Sequence, residues 1–130
     1  MLIIREEQIQ HFIAADEEQL VEVIREAIRP INPERVADYD DEKLGKMIRT
    51  GIERAKSHDL TRSEDIAAFV ALMFEIAPKF DEQEEIKAIL NDTMFPPDER
   101  LYQLFERVSD GAWEEAEKLY EDTFWFPATA

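Results

Sequence analysis

Two histidines, His11 and His58, and a dense population of carboxylates are the residues of this 130-residue chain whose types could do chemistry. A zinc centre needs several nitrogen or sulfur ligands converging at fixed spacing. The two imidazoles lie far apart in sequence, and the chain has no cysteine. Glu7 and His11 stand four apart, on one face of a helix, yet a single carboxylate and a single imidazole make an incomplete ligand set. The run "SHD" at 57–59 holds the residue types of a hydrolase triad in a row. Adjacent side chains on a helix or turn point apart and cannot relay a proton, so His58 reads as a helix C-terminal residue that suits the dipole there. Glu17 with Glu18, Glu84 with Glu85 and Glu114 with Glu115 are pairs of the kind used in acid–base catalysis, but none stands out from the others. A calcium loop requires glycine at its sixth position, and "DYDDEKLG" from Asp38 carries it at the eighth. No phosphate-cradling glycine loop or nucleophile elbow is present in the sequence. The expectation is a protein that is not an enzyme, with no catalytic residue, no metal and no cofactor.

The elements that would position any site read as helices. Three glycines and six prolines punctuate the chain, and apolar residues recur at three- and four-residue spacings between them. A first helix is expected from about 5 to 29, with Ile9, Phe12, Ile13, Leu20, Val23, Ile24, Ala27 and Ile28 on its apolar face and Pro30 ending it. Asp40 or Asp41 caps a second helix over about 41–58, whose stripe is Leu44, Met47, Ile48, Ile52 and Ala55. Gly45 and Gly51 cost helix propensity within it, which predicts close approach of another element. Thr61 to Glu64 fits a capping box opening a third helix that is apolar nearly all round, the central one. Asp81 with Glu84 repeats the pattern ahead of a short fourth helix carrying Ile86, Ile89 and Leu90. Pro97 opens a fifth, with Leu101, Leu104, Phe105 and Val108 as its stripe. A sixth over about 112–122 turns Trp113, Ala116, Leu119 and Tyr120 inward. The predicted fold is all-α, a compact orthogonal bundle of five or six helices in one domain spanning 1–130. A chain of this size buries roughly two thirds of its unfolded surface, and 45% hydrophobic content sets it apart from acidic disordered tails.

Fifteen Lys and Arg against 31 Asp and Glu leave a formal charge of −16, which repels nucleic acid and anionic lipid alike. The N-terminal "MLIIREEQ" has four apolar residues before charges begin, too few for a secretory core or a membrane span. With no cysteine, a cytoplasmic location is expected. Charge is uneven: residues 1–60 hold 14 acids and 9 bases, and residues 61–130 hold 17 and 6. Within 43–62 six bases meet two acids. Lys43, Lys46, Arg49, Arg54 and Lys56 of this island either face acids of a neighbouring helix or meet the acidic surface of a partner. The C-terminal tail, 123–130, sets Phe124, Trp125 and Phe126 side by side, more bulk than one helical stripe can bury. In extended form Trp125 faces one way and the two phenylalanines the other. Such a tail either folds back over the first and third helices or serves as a hydrophobic hook for a partner or a second copy of the chain, a possible homodimer.

Over about 45–108, the stretches "GIERAKSHDLTRSEDIAAFVALMFEIAPKFD", "AILNDTMFPPDERL" and "LFERV" resemble small acidic helical proteins encoded beside toxin genes in bacterial type VI secretion clusters. The resemblance spans roughly half the chain and contains no catalytic motif. It implies an accessory protein that acts by binding another protein: an adaptor or chaperone that helps load an effector, or an immunity protein that neutralises a cognate toxin. A small metal-dependent hydrolase is a third class, which metal uptake or activity of the purified protein would mark. On the binding readings, the candidate partner-contacting residues are Phe124, Trp125, Phe126, Lys43, Lys46, Arg49 and Arg54.

Overall fold

The computed structural model describes residues 17–31, 33–120 and 125. Among them lie six helices of seven residues or more: α1 (Glu17–Ile31), α2 (Asp41–Ser57), α3 (Ser63–Glu75), α4 (Glu84–Leu90), α5 (Pro97–Arg107) and α6 (Asp110–Glu117). A four-residue helical turn, Pro33–Val36, follows α1, and a 3-10 turn, Phe80–Glu82, precedes α4. No strand is present among the described residues, so the all-α fold is observed. No helix there is long and apolar enough to cross a membrane.

Helix α3 is the centre. Its residues 66–74 are all buried, as the nearly continuous apolar sequence requires. Helices α1, α2 and α3 pack mutually, α5 reaches α3, α4 joins α5 to the 3-10 turn, and α6 lies on α4 and that turn. Phe69, Phe74 and Phe80 are the largest fully buried side chains, in one core cluster with Ile24, Ile28, Leu44, Ile48, Ile52 and Leu72. The α2 stripe expected from periodicity is buried residue for residue, and so are Ile86, Leu90, Leu101 and Leu104.

Several expected boundaries shift. Pro30 lies inside α1, which continues to Ile31. The first helix upstream of residue 17 falls outside the described residues. Asp40 caps α2 as expected, accepting from the Lys43 amide at 2.8 Å. The capping box at Thr61–Glu64 does not form. Arg62 is the N-cap of α3 without a side-chain cap bond, and its guanidinium engages Glu64, the carboxylate that the box required. Gln83, and not Asp81, caps α4, its side chain accepting from the Ile86 amide at 2.9 Å. Leu119 is 40% exposed, because α6 ends at Glu117 and the helical phase that would turn it inward is lost. Helix α2 closes at His58, and Asp59 beyond it takes a left-handed backbone (φ 66°), a post usually filled by glycine but tolerated by aspartate.

The two glycines of α2 serve differently. A methyl group on Gly51 would sit 3.1 Å from both Cγ atoms of Val70 and 3.2 Å from Met73 Sδ, so the glycine lets α2 approach α3. On Gly45 it would meet only ordinary contacts, at 3.6 Å and 3.8 Å. Gly51→Ala is therefore expected to destabilise by about 1–2 kcal/mol, since the stiff, β-branched Val70 cannot yield. Gly45→Ala should stabilise by about 0.5–1 kcal/mol through lower unfolded-state entropy. Urea denaturation of both variants measures the difference.

Candidate functional site

The densest convergence of titratable groups among the described residues joins the C-terminal end of α2 to the 3-10 turn. Arg54 and His58 are four apart, on one helical face, and both reach Asp81. Arg54 Nε donates to both carboxylate oxygens, at 3.1 Å and 2.9 Å, and its Nη2 donates to Oδ1 at 2.8 Å. His58 Nε2 donates to Oδ2 at 2.7 Å. Arg54 Nη2 also reaches Glu82 Oε2 at 2.9 Å. Asp81 is brought there by its neighbour: Phe80 is fully buried, 4.9 Å from the Phe69 ring centroid, and His58 packs on the same Phe69 at 5.4 Å. The aromatic row anchors the turn, and the carboxylate beside it must find donors because its side chain is 3% exposed.

Burial by itself would raise the Asp81 pKa, but hydrogen bonds from His58 and Arg54 and the Arg54 charge outweigh it and hold the group below its ordinary value of 3.8. Burial likewise works against charge on Arg54, and Asp81 and Glu82 overcome it, raising its pKa. Both Asp81 oxygens are engaged by groups of the chain itself. What the arrangement does is clamp the turn to α2, with an ionised acid inside two cationic or polar donors. The sequence pattern points to a cap for Asp81, and for Arg54 to either an acid of a neighbouring helix or the acidic surface of a partner. The signal that pointed to the clamp was the four-residue spacing of Arg54 and His58 with an acid beside a buried phenylalanine.

The other residues of the basic island also meet partners within the fold. Arg49 Nη2 lies 3.0 Å from Glu18 Oε1, an exposed pair, and Lys43 Nζ stands 5.6 Å over the Tyr39 ring. Lys46 is exposed on α2. The island is thus matched within the chain at Lys43, Arg49 and Arg54, the first of the two expected alternatives, and Arg54 is committed to Asp81 and Glu82 and not left for a partner. Trp125 is 6% exposed and stacks on Phe74, centroids 4.8 Å apart and planes 22° apart. The indole closes over α3 and does not project as a hook. Phe124 and Phe126 lie outside the described residues. Among the described residues, no group of three or more His, Asp or Glu side chains is arranged to hold a metal ion.

Compared with known protein families, with curated proteins and with solved structures, the chain matches none of them.

Two outcomes test this geometry. Because the folded-state pKa of Asp81 is depressed, its contribution to stability is fully present above about pH 4 and is lost as pH falls through the folded value. Asp81→Asn is expected to cost about 1–3 kcal/mol at neutral pH, from the half-buried Arg54 and His58 losing their charged acceptor while Arg54 keeps only Glu82, and to flatten the acid limb of stability against pH followed by circular dichroism. Trp125→Ala should cost about 3 kcal/mol by removal of a buried stacked ring, read as a lowered urea midpoint with unchanged slope.

Proposed function

We propose that this protein works by binding another protein, as an adaptor or chaperone-like accessory factor for a type VI secretion effector. The observation that carries the binding reading is where the charge stands. Bases of the 43–62 island turn to groups of the same chain, whereas Glu84, Glu99, Glu106, Asp110, Glu114, Glu115 and Glu117 of α4, α5 and α6 face solvent. A surface of that sign speeds encounter with a basic protein and rejects acidic ones. The family resemblance over 45–108 supplies the accessory role and the effector as partner.

The same acidity supports a second reading, an immunity protein whose carboxylates occupy the phosphate-binding surface of a basic toxin. With Trp125 buried, it is the exposed carboxylates and not that aromatic ring that stand available for such a contact.

Co-purification with the products of adjacent genes tests the binding reading. A partner retained at low salt and released as salt rises past the Debye regime, roughly 0.1–1 M, is the expected result. Failure of every neighbouring product to co-purify at low salt would overturn it. Suppression of the partner's toxicity without any secretion apparatus selects the immunity reading, and secretion lost on deletion of this gene selects the adaptor.

A further inference from the structure

The chain carries four methionines and no cysteine, so its thioethers are the groups that a peroxide oxidises first. Met47, Met73 and Met94 lie among the described residues, in opposite surroundings. Met47 and Met73 are 1% and 0% exposed, within the core cluster. Met94, in the turn between α4 and α5, is 85% exposed, more than any other large apolar side chain among the described residues. The turn keeps its shape without that side chain. Asp92 Oδ1 accepts from the Met94 amide at 2.9 Å, the Asp92 carbonyl accepts from the Phe95 amide at 3.3 Å, and Arg100 Nε donates to the Phe95 carbonyl at 3.0 Å. Arg107 lies 5.3 Å over the half-buried Phe95 ring. The Met94 thioether is no part of the core cluster.

We infer that Met94 is a site of reversible oxidation by hydrogen peroxide, at which the protein changes its surface chemistry and keeps its fold. A sulfur lone pair attacks one peroxide oxygen, so that the S–O bond forms as the O–O bond breaks. The sulfur gives up two electrons, and the departing hydroxide takes the proton of the transferred oxygen and leaves as water. The product, a sulfoxide, is polar and a strong hydrogen-bond acceptor where the thioether was apolar. At Met47 or Met73 such a group would be buried among apolar side chains, and peroxide reaches either sulfur only when the bundle opens. At Met94 the sulfoxide oxygen is solvated, and the exposure that admits peroxide also admits the reductases that restore the thioether. Net charge does not change. Oxidation therefore alters apolar contact at the α4–α5 turn and leaves the electrostatic character of the acidic exterior as it was. The inference stands whether or not the protein acts by binding another protein.

The test treats the full native chain with hydrogen peroxide at neutral pH and follows each methionine by peptide mapping and mass spectrometry. Met94 is expected to gain one oxygen at least on the order of ten times faster than Met47 and Met73, and the three rates should converge in concentrated urea. The melting temperature of the singly oxidised protein should fall by less than about 2 °C, and methionine sulfoxide reductases with a thiol reductant should remove the added oxygen from the folded protein. Met94→Leu should abolish the fast phase and leave the slow ones. Comparable native rates at Met94 and at either buried methionine would overturn the assignment. A larger loss of melting temperature, or a sulfoxide that the reductases remove only after unfolding, would equally overturn it.

Discussion

Helix α3 has no face that belongs in water, and the arrangement of the other helices follows from enclosing it. With residues 66–74 all buried, α1 and α2 on one side, α5 on another and Trp125 over Phe74 are required partners of one apolar rod. Enclosure at this density needs backbones to come close. The close approach at Gly51, where Val70 and Met73 fill the space a side chain would take, is the consequence.

Enclosure also brings polar groups inside. The turn that anchors Phe80 beneath Phe69 carries Asp81 with it, and a carboxylate so placed must be charged and fully engaged or neutral. Arg54 and His58, one helical turn apart, supply the donors. The clamp joins two segments 23 to 27 residues apart in the chain and so fixes how the second half, α4 to α6, sits on the first. Interior electrostatics and surface electrostatics thereby divide. The bases at 49 and 54 serve the chain's own acids, while the excess negative charge of the second half faces outward.

Helix existence and core membership were legible in sequence because they depend on local periodicity. The α2 stripe of Leu44, Met47, Ile48, Ile52 and Ala55 repeats at helical spacing and is buried in that order. The Asp40 cap likewise depends on residues three apart. Capping failed where side chains had a better offer from elsewhere: Glu64 was drawn to Arg62, and Asp81 to donors on a different helix. Those competitions compare a local bond with a tertiary one, and a single window of sequence contains only the first. The unpartnered Nε of Arg25 was equally invisible, since lacking a partner is a property of all surrounding elements at once.

By itself, the sequence determined an all-helical chain, its buried stripes and its strong negative charge, because propensity, periodicity and ionisation belong to each residue and its near neighbours. Only the tertiary structure decided which charges face each other, whether Trp125 turns in or out, and which glycine is needed for packing. Each of those outcomes depends on distances between segments far apart in the chain, and packing sets such distances where composition cannot.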